Sequence, residues 1–223
     1  MGHQYQAILF DLDDTLYDLR AYWTRRLARA FATVCSRYPQ LDAEQLCDRA
    51  VQSKVYMAQM PDFLRAHEVD DEALIAVVAE QYRHNWFEEL ELADDARDVL
   101  GQLRHSFKLG LVTNGPSRTQ RPKIERFGLV ELMDVIVVSE EAGVAKPDPA
   151  IFYFALKQLR VAPAQALYVG DSVENDLYGA AAAGMSAVWV NSRNEQLPPD
   201  VPPPLAVITR LAELPALIEK QAA

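Results

Sequence analysis

Two apolar runs far apart in the chain, QAILF at 6–10 and QALYVG at 165–170, both break into aspartates where a strand of that length would end. The first leads into Asp11 and Asp13, the second into Asp171 and Asp176. Short runs that are apolar throughout, bounded by turn signals, read as buried strands of a parallel sheet. In an open α/β sheet the ligand crevice lies beyond the carboxyl ends of the strands. The four acids are therefore expected to meet at one sheet edge. Close carboxylates repel by roughly 4 kcal/mol per pair at an effective dielectric of ~20, so such a cluster calls for a cation or a proton. A hard, oxygen-seeking ion such as Mg²⁺ is the expected guest.

Between those runs the periodicity changes twice. From Tyr17 to Leu90 the apolar residues recur at helical steps, as in Trp23, Leu27, Ala30, Phe31, Val34 and Tyr38. Asp42, with Gln45 three residues on, and Asp70 or Asp71 before EALIAVVAEQYRHNWF, mark helix starts. From Leu92 onward strands and helices alternate. Strands are expected at KLGLVTNG (108–115), 134–139, 165–171, SAVWVN and 206–209, with helices DDARDVLGQLR, RPKIERFGL, AIFYFALKQL and ENDLYGAAAAG between them. EEAGVAKPDP and the proline-rich 198–204 read as loops. That alternation predicts an α/β fold whose parallel sheet is covered on both faces. The expected core comprises 1–16 and 92–223, and 17–91 is a helical insertion.

Composition narrows the partners. A formal charge of −10 with no long basic run argues against nucleic-acid polymers and anionic membrane surfaces. No apolar stretch approaches the ~20 residues of a membrane span, and MGHQYQ lacks the features of a secretory signal. Cys35 and Cys47 make no disulfide framework. The expectation is a soluble cytoplasmic protein, with its oligomeric state open between monomer and homodimer.

Four short motifs fall in order: Asp11-Leu-Asp13-Asp-Thr15, Thr113-Asn114, Lys146 in AKPDP, and Gly170-Asp171-Ser-Val-Glu-Asn-Asp176. Through them the chain resembles the haloacid dehalogenase-like hydrolases over essentially its whole length. The resemblance implies a Rossmann-like core, an α-helical cap at the insertion, and Mg²⁺-dependent hydrolysis of small phosphate monoesters through an aspartyl-phosphate. It implies Asp11 as nucleophile and Asp13 as general acid and base, the latter kept protonated at rest by neighbouring negative charge. Asp11, the backbone carbonyl of Asp13, and Asp171 would hold the metal. The Thr113 hydroxyl, the Asn114 amide and Lys146 would meet the phosphate. Asp176, Ser172 and Asn175 would support Lys146 and the metal's surroundings, and Thr15 would fix the loop. Tyr17, Asp18, Arg118 and Gln120 are possible substrate contacts.

Dehalogenase members lack an aspartate at position 13, so phosphatase chemistry is expected. Residues 112–152 are most similar to nucleoside 5′-monophosphatases of the family, and N-acylneuraminate phosphatases share much of that run. Sugar-phosphate phosphatases, a phosphosugar mutase and a non-catalytic binding module on this fold remain alternatives. Asp14 reads as a loop or capping acid more readily than as a functional one, and Asp18 as the start of the first helix of the insertion or the end of the hinge. His3, His67, His84 and His105 adjoin no motif, which leaves a phosphohistidine mechanism without support. The cysteines read as small apolar helix residues.

Overall fold

The computed structural model describes residues 4–53, 55–84 and 86–221; His3 lies outside them. The chain divides into two compact units, Met1–Asp18 with Glu91–Ala223, and Leu19–Leu90. No described helix is long and apolar enough to cross a membrane.

Leu19–Leu90 is helical: α1 Leu19–Cys35, α2 Ala43–Gln52, α3 Met60–Ala66 and α4 Glu72–Arg83. Both expected starts are built as capping aspartates. Asp42 Oδ1 accepts from Gln45 N at 2.9 Å, and Asp71 Oδ1 from Leu74 N at 3.0 Å, each worth about 1 kcal/mol. The apolar stripe of α1 faces inward, with Leu27, Phe31 and Val34 fully buried against Met60, Leu64 and Val78. Burial stabilises by roughly 1.5–3 kcal/mol for each such side chain. Trp23 lies at the margin of this core, stacked on Tyr56 with ring centroids 5.4 Å apart. Burial pushes the Cys47 thiol up to about 11, which suits an inert apolar role.

The other unit carries β1 Ala7–Phe10, β2 Lys108–Thr113, β3 Val135–Val138, β4 Ala166–Gly170, β5 Ser186–Val190 and β6 Ala206–Ile208. They form one parallel sheet in the order β3-β2-β1-β4-β5-β6. β1 therefore lies between β2 and β4. The chain runs outward from β1 to β3, then returns to the other side of β1. The carboxyl ends of β1 and β4 consequently flank the switch point where open α/β sheets bind ligands. β1, β2 and β4 are buried almost throughout, as their continuous apolar runs require.

The helices of this unit are α5 Ala96–Leu103, α6 Ser117–Arg126, α7 Ser139–Ala142, α8 Pro149–Leu159, α9 Tyr178–Ala182 and α10 Leu214–Gln221. Several depart from expectation, α10 among them, since no helix was expected after the strand at 206–209. α6 begins at Ser117, four residues ahead of the expected start, and carries Pro122 inside it. α7 occupies part of the expected loop, and the departures of α6 and α7 share one cause. Glu140 of α7 accepts from the Ser117 backbone N–H at 2.7 Å, and Glu141 accepts from the Ser117 hydroxyl and pairs with Arg121. Acids at the positive end of α6 thus satisfy a start that its own sequence does not signal. The expected helix after β4 opens as a π-turn, Val173–Leu177, before α9.

Candidate active site

The backbone N–H of Asp11 donates to Val169 O at 2.9 Å, carrying the β1–β4 ladder one residue past the strand. That bond pins Asp11 beside Gly170 and Asp171. Leu12 and Leu16 are fully buried and anchor the turn that follows. Asp14 takes a left-handed φ of 58° in that turn, a conformation Asp tolerates. Asp14 Oδ1 accepts from Arg193 Nη2 at 2.7 Å, and the same Arg193 atom lies 3.5 Å from Asp18 Oδ1. Thr15 Oγ1 donates across to Asp171 Oδ1 at 3.4 Å, between residues 156 apart in sequence.

Lys146 is the hub. Its ammonium donates to Asp11 Oδ1 at 2.6 Å, Asp176 Oδ1 at 2.7 Å and Tyr168 Oη at 3.0 Å. Three partners take up all three ammonium protons. The Lys146 backbone is held as firmly, because Asn114 accepts from its N–H and donates to its C=O, both at 2.9 Å. The Asn114 side chain therefore fixes Lys146, which leaves its backbone amide as the group expected to meet a ligand. Burial pulls the Lys146 pKa down, but Asp11 and Asp176 outweigh it and raise the value. Asp176 is fully buried, and its second oxygen accepts from Ser172 N at 2.9 Å. A Cβ on Gly170 would lie 2.3 Å from that oxygen, so only glycine admits Asp176 here.

Asp13 faces another way. Its Oδ1 accepts from Lys123 Nζ at 2.7 Å and from the Tyr17 hydroxyl, and its Oδ2 from Gln120 Nε2 at 3.0 Å. Three donors thus meet Asp13 alongside the neighbouring Asp11 carboxylate, because the earlier start of α6 turns Gln120 and Lys123 inward. Gln120 Nε2 also lies 2.7 Å from Thr113 Oγ1 and 3.0 Å from Asn114 O.

The remaining candidates divide by exposure. Tyr17 is buried against Phe127, with its hydroxyl on Asp13, whereas Asp18 and Arg118 are exposed. Ser172 Oγ accepts from Asn175 N at 3.1 Å, closing the turn that presents Asp176. Lys123, Tyr168 and Arg193 escaped the sequence reading. Tyr168 carried a signal, a polar-tipped aromatic inside an apolar strand, and Lys123 lies one helical turn beyond Gln120. Arg193 carried none.

Asp11, Asp171 and Asp176 each offer a carboxylate oxygen within 4.8 Å of the others. Asp176 has both oxygens engaged, so Asp11 and Asp171 are the acids left to face a ligand. Burial, resisted for Asp11 by Lys146, raises their pKa values to about 7 and about 8 respectively. Negative charge here exceeds what Lys146 neutralises. An all-oxygen set with surplus negative charge suits a hard divalent cation.

The description "Haloacid dehalogenase-like hydrolase" belongs to the family model that matches residues 8–190. The chain belongs to this family. Human N-acylneuraminate-9-phosphatase is 32% identical over 96% of the hydrolase and 94% of its own length. The pyrimidine 5′-nucleotidase YjjG of Escherichia coli is 38% identical over 56% of each chain. Among solved structures, the HAD-hydrolase YfnB of Bacillus subtilis, determined with magnesium bound, superposes with a TM-score of 0.75 at 27% identity. That match covers 96% of the hydrolase and 99% of YfnB.

Proposed function

We propose that this hydrolase is a Mg²⁺-dependent phosphatase of small phosphate monoesters. The observation that carries this reading is Asp11 itself, a buried carboxylate bonded to Lys146, beside Asp171 and two residues ahead of Asp13. Asp11 and Asp171, with the backbone carbonyl of Asp13, would hold Mg²⁺, which when bound neutralises charge so that a phosphate dianion can approach an aspartate. A carboxylate of Asp11 forms the bond to phosphorus as the bond to the substrate oxygen breaks. The carboxyl proton of Asp13 passes to that departing oxygen. Water then attacks the aspartyl-phosphate, gives its proton to Asp13 and frees Asp11 and inorganic phosphate. Thr113 and the Asn114 amide meet the phosphate oxygens. Lys146 acts first through Asp11, since its donors already serve protein groups.

Two substrates come first, because relatives are named for related reactions: an N-acylneuraminate 9-phosphate and a pyrimidine nucleoside 5′-monophosphate. The full-length likeness favours the sugar-acid phosphate over the nucleotide. The protein is expected to act in the cytoplasm on a free metabolite. The test is phosphate release from a panel of phosphorylated metabolites with Mg²⁺, for the native protein and Asp11→Asn. Turnover surviving in Asp11→Asn would overturn the reading. A mutase would instead return phosphate to its substrate and release none.

A further inference from the structure

Lys123 and Gln120 lie one turn apart on α6, at i and i+3, and both are buried, at 4% and 1% exposure. Burying an ammonium is costly unless it is paired and hydrogen-bonded, and a methionine would fill the same space. What surrounds these side chains is the candidate proton donor and the phosphate-binding hydroxyl. Asp13 has its two oxygens held by different residues, Oδ1 by Lys123 at 2.7 Å and by Tyr17, Oδ2 by Gln120 at 3.0 Å. A carboxylate gripped at both oxygens cannot turn about its Cβ–Cγ bond. The Gln120 amide also reaches Thr113 Oγ1 at 2.7 Å. Gly115, at a φ of 137°, lets it lie there, since a Cβ would sit 3.3 Å from Gln120 Cγ and Cδ. A single helical turn therefore sets the separation between the group that meets phosphate oxygens and the group that meets the leaving oxygen.

We propose that Lys123 and Gln120 are positioning residues for proton delivery by Asp13, holding its carboxylate in register with Thr113 so that a poor leaving group can depart. This rests on the phosphatase reading above. Tyr17 completes the grip on Oδ1, with the Lys123 ammonium 5.7 Å from its ring centroid.

The test compares two leaving groups of nearly the same shape. p-Nitrophenolate departs without a proton, whereas phenolate, with a parent pKa of about 10, gains from one. kcat/KM reports the step that transfers phosphorus to Asp11. Lys123→Met and Gln120→Met are each expected to lose about tenfold or more on phenyl phosphate beyond any loss on p-nitrophenyl phosphate. Two variants are used so that a folding failure in one, seen by thermal melting, leaves the other to decide. In an Asp13→Asn background, Lys123→Met should add no further selective loss, because the residue acts through Asp13. Equal losses on both esters, no loss, or a selective loss that persists without Asp13 would overturn the proposal. A native protein inactive on both esters overturns the phosphatase reading with it. An active protein whose Asp13→Asn variant is selective while Lys123→Met and Gln120→Met are not overturns this inference alone.

Discussion

Asp176 lies against the backbone of Gly170 so closely that a methyl group on that Cα would sit 2.3 Å from Asp176 Oδ2. From this position the carboxylate reaches the Lys146 ammonium at 2.7 Å. Gly170→Ala must displace Asp176 and with it the Lys146 ammonium. We expect a stability loss of about 1–3 kcal/mol, typical of overpacking, together with a large fall in phosphate release. Chemical denaturation and a turnover assay measure the two, and an alanine variant with native activity would show that Asp176 can be moved without consequence.

Lys146→Met removes the ammonium shared by Asp11, Asp176 and Tyr168. Breaking a buried ion pair from one side costs about 3–5 kcal/mol, because the partner is left uncompensated. The urea midpoint should fall accordingly at neutral pH and recover as the acids are protonated at lower pH. An unchanged midpoint would mean that the pairing contributes nothing to the fold.

Asp11→Asn keeps the shape of the proposed nucleophile and removes its charge. Turnover should drop by roughly a thousandfold or more, while the melting temperature in chelator holds or rises, since a buried acid that resists ionisation has been neutralised. A variant that is inactive because it is unfolded would fail the second half of this expectation.

Stability should depend on pH and metal together. Asp11 and Asp171 have pKa values raised from 3.8 to about 7 and about 8, chiefly by burial. The folded protein then holds more protons than the unfolded chain between roughly pH 4 and pH 8, so stability falls as pH rises through that window. In chelator the melting temperature should be higher at pH 5 than at pH 8. Added Mg²⁺ should raise it more at pH 8, where both acids are ionised to receive it. Asp171→Asn should flatten the slope, and a slope unchanged in that variant would assign the effect to other groups.

The strands and the acids at their ends were readable because both follow from local pattern. Ala7–Phe10 and Ala166–Gly170 are apolar on both faces, and each stops at a carboxylate. The surroundings of Asp13 were not readable, for a physical reason. Pro122 reads as a helix start, Pro116 at the cap supplies no side-chain acceptor, and the acids that stabilise the true start come from Glu140 and Glu141 in another helix. Without that start the helical phase of Gln120 and Lys123 cannot be set, and their inward direction is lost. Tyr168 escaped for a related reason, since its partners Lys146 and Val112 are neighbours only once the sheet is assembled.

The register of β1, with Ala7 opposite both Lys108 and Ala166, also governs how the chain is born. At ~5–20 residues per second a ribosome needs roughly 10–30 s to travel from the first strand to the fourth. During that interval AILF has one or both flanks without a mate, a sticky apolar segment in a nascent chain. The carboxyl ends of β1 and β4 can come together only after β4 emerges, so a chain cut short before Asp171 should lack the acid cluster and keep a strand flank exposed.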